Sequence, residues 1–243
     1  MRALALHPDV LLVTSAVLQA NCVIVRGPVD GADSAGSQPA GETFVIDSPV
    51  LPDELDALGA LLEQARFPAP SGLLVTHADW DHLLGRLAFP GVALGCAEST
   101  AERLRASPGE AQRELRAFDA GLLIERPRPL ALGSVQTLAV PGRCDVGDRE
   151  LELHPAEGHT ADGMAIAIPW AGVLVAGDYL STVEPPTLDE EGDVDTYLAT
   201  LERLQGLVAV AEHVVPGHGP VLDRERALAS LEQDRAHLLA LKG

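Results

Sequence analysis

The stretch Val75-Thr76-His77-Ala78-Asp79-Trp80-Asp81-His82 places four imidazole or carboxylate side chains within six residues. The apolar run Leu73-Leu74-Val75 leads into it and has the composition of a buried strand that ends at Thr76. His77, Asp79 and Asp81 stand two apart, so an extended loop would turn all three side chains to one side. His82 follows directly and in that geometry points elsewhere, which suits two adjacent metal ions better than one. Imidazole and carboxylate are ligands of first-row transition metals. The same residues also read as a solvated acidic loop that caps the next helix, with Asp81 as the N-cap. On this stretch alone the two readings stand level.

Three later fragments shift the balance. Glu157-Gly158-His159-Thr160 follows the strand-like segment Leu151 to His154. Val173-Leu174-Val175-Ala176-Gly177-Asp178 is a buried-type strand ending on a carboxylate, and Val214-Val215-Pro216-Gly217-His218-Gly219 runs into a histidine flanked by glycines. Each puts a ligand-type side chain just past the C-terminal end of an apolar strand, where open sheets present functional groups. In order and context these fragments resemble the motifs of the metallo-β-lactamase superfamily: HxHxDH, a His after Gly, the Asp of a GD turn and the His of PGHG. The resemblance spans essentially the whole chain and includes Asn21-Cys22 on an early strand and Ile46-Asp47-Ser48 after the next. It implies a four-layer αββα sandwich, a dinuclear metal site and hydrolase chemistry, and it is poorly specific for substrate.

One position departs from the family pattern: Asp79 stands where the second histidine belongs, giving HxDxDH. Carried over residue by residue, the resemblance implies a first metal site at His77, Asp79 and His159. It implies a second at Asp81, His82 and His218, with Asp178 bridging; ligation by Asp79 is an inference from the spacing rather than from the family. The expected cofactor is zinc, as two ions. Two divalent ions facing Asp79, Asp81, Asp178 and one hydroxide form a neutral cluster, which should tolerate iron or manganese better than HxHxDH does. Asp81, Asp178 and Tyr179 are the candidates for catalytic roles. Tyr179 either donates a hydrogen bond to a substrate carbonyl or is a packed core tyrosine.

At 243 residues the chain is long enough for one large core, and a single domain over residues 1–243 is expected. Acidic residues outnumber basic ones 36 to 17, for a formal charge of −19, and Lys242 is the sole lysine. Such a surface repels phosphate backbones and anionic membranes, so the expected partner is a small-molecule substrate, with no nucleic acid and no membrane. Cys22, Cys96 and Cys144 show no paired spacing, and Cys22 sits in an apolar run as a small core residue. With no secretory signal pattern and no membrane-length apolar window, a cytoplasmic location is expected.

Val10 to Thr14, Cys22 to Val25 and Thr43 to Ile46 read as an antiparallel start, with a Gly- and Ser-rich hairpin loop from Gly27 to Gly41. Helical spacing covers Pro52 to Arg66, and Glu98 to Phe118 reads as two helices broken at Ser107-Pro108-Gly109. The second half is predicted to hold strands at Val135 to Val140, Leu151 to His154, Met164 to Ile168 and Val173 to Ala176. Helices at Val194 to Leu207 and Arg224 to Leu241 close the chain. His154, His213 and His237 are read as structural or solvent-facing. Asp47 is expected to support the loop beneath the metals. The acidic run from Asp189 to Asp195 reads as a solvated loop overhanging the pocket. The leading functional expectation is a metal-bound hydroxide attacking an ester, lactone or thioester. An iron-dependent redox enzyme of the same fold and a non-catalytic metal- or ligand-binding member are the alternatives.

Overall fold

A computed structural model describes residues 1–28, 41–189 and 192–242. Two sheets form its centre. The first contains β1 (Arg2–His7), β2 (Val10–Thr14), β3 (Asn21–Gly27), β4 (Glu42–Asp47), β5 (Gly72–Leu74), β6 (Leu94–Ala97) and β7 (Val135–Leu138), side by side in that order. Its first four strands are antiparallel neighbours, and β4 to β7 run parallel. Helices α1 (Pro52–Ala65), α2 (Gly85–Ala88), α3 (Glu98–Ala106) and α4 (Glu110–Leu122) make the crossovers that parallel pairing requires. The second sheet contains β8 (Gly142–Val146), β9 (Arg149–Pro155), β10 (Met164–Ile168), β11 (Val173–Gly177), β12 (His213–Pro216) and β13 (Leu222–Asp223). α5 (Val194–Val208) crosses between the parallel strands β11 and β12, and α6 (Arg224–Leu241) follows β13.

The period-two pattern of the strands separates three apolar layers. On β3, Val23 and Val25 face the other sheet, where they share a cluster with Ile166, Val175 and Val215. The alternate residues Cys22 and Ile24 pack on Leu55, Leu58 and Leu62 of α1 and Leu115 of α4. On β11, Val173 and Val175 face inward, while Leu174 and Ala176 pack on Leu201 and Leu204 of α5 and Leu231 of α6. Helices therefore cover the outer face of each sheet, in the αββα order expected. Burying Cys22 raises its thiol pKa far above the ordinary value, Asp47 adding to the effect, as suits a core residue rather than a nucleophile.

Several elements differ from the sequence reading. β1 was not expected; it is an edge strand, exposed over Arg2 to Leu4, and so shows no alternation to read. β8 and β13 were also missed, the first because Gly142-Arg143-Cys144-Asp145 is polar, the second because it spans Leu222–Asp223 only. Val135 to Val140 was assigned to the second half, but β7 pairs with β6 in the first sheet, Leu94 opposite Val135. Most of the expected Gly27 to Gly41 hairpin loop lies outside the described residues, though its flanking strands pair antiparallel. No helix among the described residues is long and apolar enough to cross a membrane.

Candidate metal centre

The ends of β5, β9, β11 and β12 converge on one edge of the sandwich, and backbone ties lock the two sheets together there. Met164 N–H donates to the Thr76 carbonyl at 2.8 Å, and Asn21 N–H donates to the Gly217 carbonyl at 2.8 Å. The Asn21 side-chain amide donates to both Pro216 O and Gly219 O, each at 2.8 Å. This fixes the His218 loop from two sides. Gly217 is sterically required: a Cβ there would collide with Asp178 Oδ1 and stand 3.1 Å from His82 Cε1.

Within this frame the structure brings His77, Asp79, Asp81, His82, His159, Asp178 and His218 together. Their donor atoms form three overlapping groups, each within 4.8 Å: His77, Asp79 and His159; Asp81, His82 and His218; and His77, His82 and Asp178. Asp178 is central. Its Oδ2 lies 3.7 Å from His77 Nε2, 3.5 Å from His159 Nε2 and 3.4 Å from His218 Nε2, and its Oδ1 lies 3.3 Å from His82 Nε2. Asp79 Oδ2 stands 3.5 Å from His77 Nε2 and 3.6 Å from His159 Nε2. Asp81 Oδ2 is 3.3 Å from His218 Nε2.

The local reason differs from the expected one. Asp79 is extended, but Trp80–His82 forms a 3₁₀ turn, so the spacing of an extended loop does not hold through Asp81. Asp81 and His82 consequently fall in one group rather than diverging, and the division between groups lies between Asp79 and Asp81.

Every imidazole is oriented from behind. His159 Nδ1 donates to Thr187 O at 2.8 Å and His218 Nδ1 to Leu18 O at 3.0 Å; a carbonyl only accepts, so each Nδ1 carries the proton. His82 Nδ1 lies 3.0 Å from Asp47 Oδ2. Thr76 Oγ1 donates to the same Asp47 oxygen at 2.9 Å and sits 3.0 Å from His77 Nδ1, which leaves it to accept from His77. Asp47 thus supports two rings, one directly and one through Thr76, at a left-handed backbone position with φ of 56°. The inward atoms His77 Nε2, His82 Nε2, His159 Nε2 and Asp178 Oδ1 are buried and make no hydrogen bond. Buried polar atoms without partners are costly. Lone pairs of neutral imidazoles, held in fixed tautomers around carboxylates, fit divalent cations.

Without a cation the carboxylates draw protons onto the rings of His82, His159 and His218. Burial opposes the charge on His159, but Asp79 and Asp178 outweigh it and raise its pKa to about 9. His218 is likewise raised to about 10, Asp178 and Asp81 overcoming its burial. His82 is raised by Asp47, Asp178 and Asp81 against its burial. Asp79 is held far below the usual carboxylate range by His77, His159 and Arg103, again against burial.

The chain belongs to the metallo-β-lactamase superfamily. The family described as Metallo-beta-lactamase superfamily matches residues 38–218. A metallo-beta-lactamase type 2 from Bacillus sp. (strain 170) is 23% identical over 177 residues, covering 66% of this chain and 68% of that protein. Among solved structures, a metallo-beta-lactamase family protein from Thermus thermophilus superposes with a TM-score of 0.71 at 22% identity, covering 97% of this chain and 81% of that one. A metallo-beta-lactamase from Pontibacter korlensis gives 0.65 at 20% identity and covers 98% of each chain. At these identities the structural likeness speaks for the fold. Membership and the His/Asp clusters together support a metal-dependent hydrolase at the level of the family.

Tyr179 does not face the cluster. It is 3% exposed, its hydroxyl donates to Ala156 O at 3.1 Å and accepts from His159 N–H at 3.1 Å, and its ring packs on Tyr197. The geometry supports the packed-core reading and leaves no free O–H for a substrate carbonyl; Tyr179 braces the His159 loop instead. Three residues near the cluster went unread in the sequence. Arg103 contacts Asp79, Asp162 and Asp189; buried Asp162 accepts the Ala78 N–H at 3.0 Å; and the exposed Glu184 places a carboxylate oxygen among the donors of Asp178 and His218. Only the departure at Asp79 pointed to any of them, since an added carboxylate calls for a counter-charge.

Proposed function

We propose that the chain is a metal-dependent hydrolase of ester, lactone or thioester substrates. In this reading His77, Asp79 and His159 would hold one ion and Asp81, His82 and His218 a second, with Asp178 placed among the donors of both groups. The observation that carries it is the set of inward Nε2 atoms of His77, His82 and His159, buried and unpartnered while Nδ1 of the same rings is engaged. When bound, the ions supply Lewis acidity and a nucleophile at neutral pH.

The protein's own part is orientation. Asp47 and Thr76 fix the rings of His77 and His82, the Thr187 and Leu18 carbonyls fix those of His159 and His218, and both Asp178 oxygens face imidazoles. The Thr187 contact also brings the segment before Asp189 against the site, as a wall over His159. With a charge of −19 the surface favours a neutral acyl substrate over phosphate backbones or anionic membrane, so a small molecule is the proposed partner. Three unpaired cysteines, two of them buried, accord with a reducing cytoplasm.

Zinc, as two ions, is the proposed metal. The carboxylate of Asp79 among the donors favours a second reading, an iron- or manganese-loaded centre, with iron serving redox chemistry. Elemental analysis of protein purified without added metal, paired with aryl-ester and lactone assays, separates these. Zinc with chelator-sensitive hydrolysis, restored by Zn²⁺ or Mn²⁺, supports the proposal; iron without hydrolysis supports the second reading. Hydrolysis that survives confirmed metal loss would sink the mechanism.

A further inference from the structure

Arg103 projects from α3, a helix whose sequence Glu-Ser-Thr-Ala-Glu-Arg-Leu-Arg-Ala reads as an ordinary charged surface. Its guanidinium nevertheless sits at the junction of three aspartates. Nη1 is 2.9 Å from Asp79 Oδ1 and 2.8 Å from Asp162 Oδ1, and Nη2 is 3.2 Å from Asp189 Oδ2. We propose that Arg103 is the positioning residue that makes Asp79 act as a one-atom donor in place of the family's histidine, and so sets the affinity and metal preference of the His77–Asp79–His159 site. The inference rests on the metal-dependent reading above and deepens it.

The geometry points this way for three reasons. A carboxylate has two donor oxygens and can chelate, rotate or turn to solvent, whereas a histidine offers a single Nε2. Arg103 takes Asp79 Oδ1, and only Oδ2 is left toward His77 Nε2 and His159 Nε2, at 3.5 and 3.6 Å. Asp79 is 27% exposed, and among the described residues Arg103 is the one arginine or lysine in ion-pair contact with it.

The same guanidinium also supports the neighbours of Asp79. Asp162, 1% exposed, accepts the Ala78 N–H through its other oxygen, so Arg103 grips the Ala78–Asp79 unit at both its amide and its side chain. On the far strand ends, Asp189 N–H donates to His159 O at 3.0 Å, and Thr187 O holds the His159 ring. Arg103 thus links the segments that carry His77 and Asp79 to those that carry His159.

Electrostatics works in the same direction. The cation screens Asp79 but is shared with Asp162 and Asp189, so it reduces the extra negative charge without cancelling it. A planar fork serves three carboxylates at once, which a lysine ammonium reproduces poorly.

The test is a cycle of variants read by metal affinity rather than turnover. Wild type, Arg103→Met, Arg103→Lys, Asp79→His and the double variants are stripped of metal and checked by thermal melting. They are then titrated with Zn²⁺ and Mn²⁺ against a chromophoric chelator. Arg103→Met should weaken one of two ions by about 10–100-fold, as loss of a supporting partner does, and leave the other unchanged. Arg103→Lys should fall between. The Zn²⁺/Mn²⁺ preference of the weakened site should shift as Asp79 is freed to chelate. In the Asp79→His background the Arg103→Met penalty should shrink to within about twofold, the ordinary scatter for uncoupled positions.

An equal penalty in both backgrounds assigns Arg103 to holding Asp162 and overturns the proposal. Two ions bound with unchanged affinity in Arg103→Met overturn it as well, while leaving the hydrolase reading intact. A wild type that binds no ion overturns both. Should Arg103→Met fail to fold, the same comparison with Arg103→Lys decides the matter.

Discussion

The two groups of donors are built in different ways. The His77–Asp79–His159 group is held by side-chain charges: Asp79 is partly exposed and clamped by Arg103, and the loop bearing Thr187 and Asp189 closes on His159. The Asp81–His82–His218 group is held by one buried carboxylate, by backbone groups and by close packing. Asp47, Leu18 O, the Asn21 amide and the bare Cα of Gly217 define it, and among the described residues no arginine or lysine makes an ion pair with Asp81. Substitution at Arg103 therefore bears on the first group, and an added side chain at Gly217 bears on the second and on Asp178. Asp178 belongs to both groups and ties their fates together.

The largest effect should come from that shared carboxylate. Asp178→Ala is expected to bring metal content below one ion per chain. His159→Ala and His218→Ala should each lose one ion and keep the other, with His154→Ala as the unaffected control. Elemental analysis on identically purified proteins makes the comparison. Three variants with the same content as the control would dissolve the distinction between the groups.

A smaller effect should follow at Asp47, which supports His82 directly and His77 through Thr76. Asp47→Asn should weaken binding about 10–100-fold in both groups, because each loses an oriented ring. Chelator competition that finds only one group affected would show that Thr76 orients His77 without help from Asp47.

The smallest effect concerns pH. In metal-free protein His159 and His218 have folded pKa values of about 9 and about 10, above the unfolded value of about 6.5. Groups raised in this way contribute stability that is fully present below pH ~6.5 and is lost as pH rises through 9 and 10. Metal-free protein should therefore melt at lower temperature as pH climbs from 7 to 10. The gap to metal-loaded protein should widen, because binding displaces those protons. A metal-free melting temperature that stays flat over this range would break the argument.

Much of this was legible beforehand, for a physical reason. Strands buried on both faces read as apolar runs, and a His or Asp placed just past such a run announces itself, as at His77, Asp178 and His218. The αββα order was implied by the family resemblance that those motifs carry, and the two sets of strands and helices accord with it. Edge strands escaped because half-exposed segments such as Arg2–His7 need no apolar alternation. Arg103 escaped for another reason: its partners Asp79, Asp162 and Asp189 are far apart in the chain, and its helix has a surface pattern. Local spacing also misjudged Asp81, where a 3₁₀ turn replaced the extended loop.

Gly217 has a consequence of its own. It contributes no metal-ligating atom, no charge and no side chain, yet the space beside its Cα is already filled by Asp178 and His82. A single methyl group there would leave all seven donor residues in the chain while denying them their arrangement. Chemistry and shape can therefore be separated at one position: an inventory of reactive groups would pass a Gly217→Ala protein as complete, and only a measurement of geometry would find it broken.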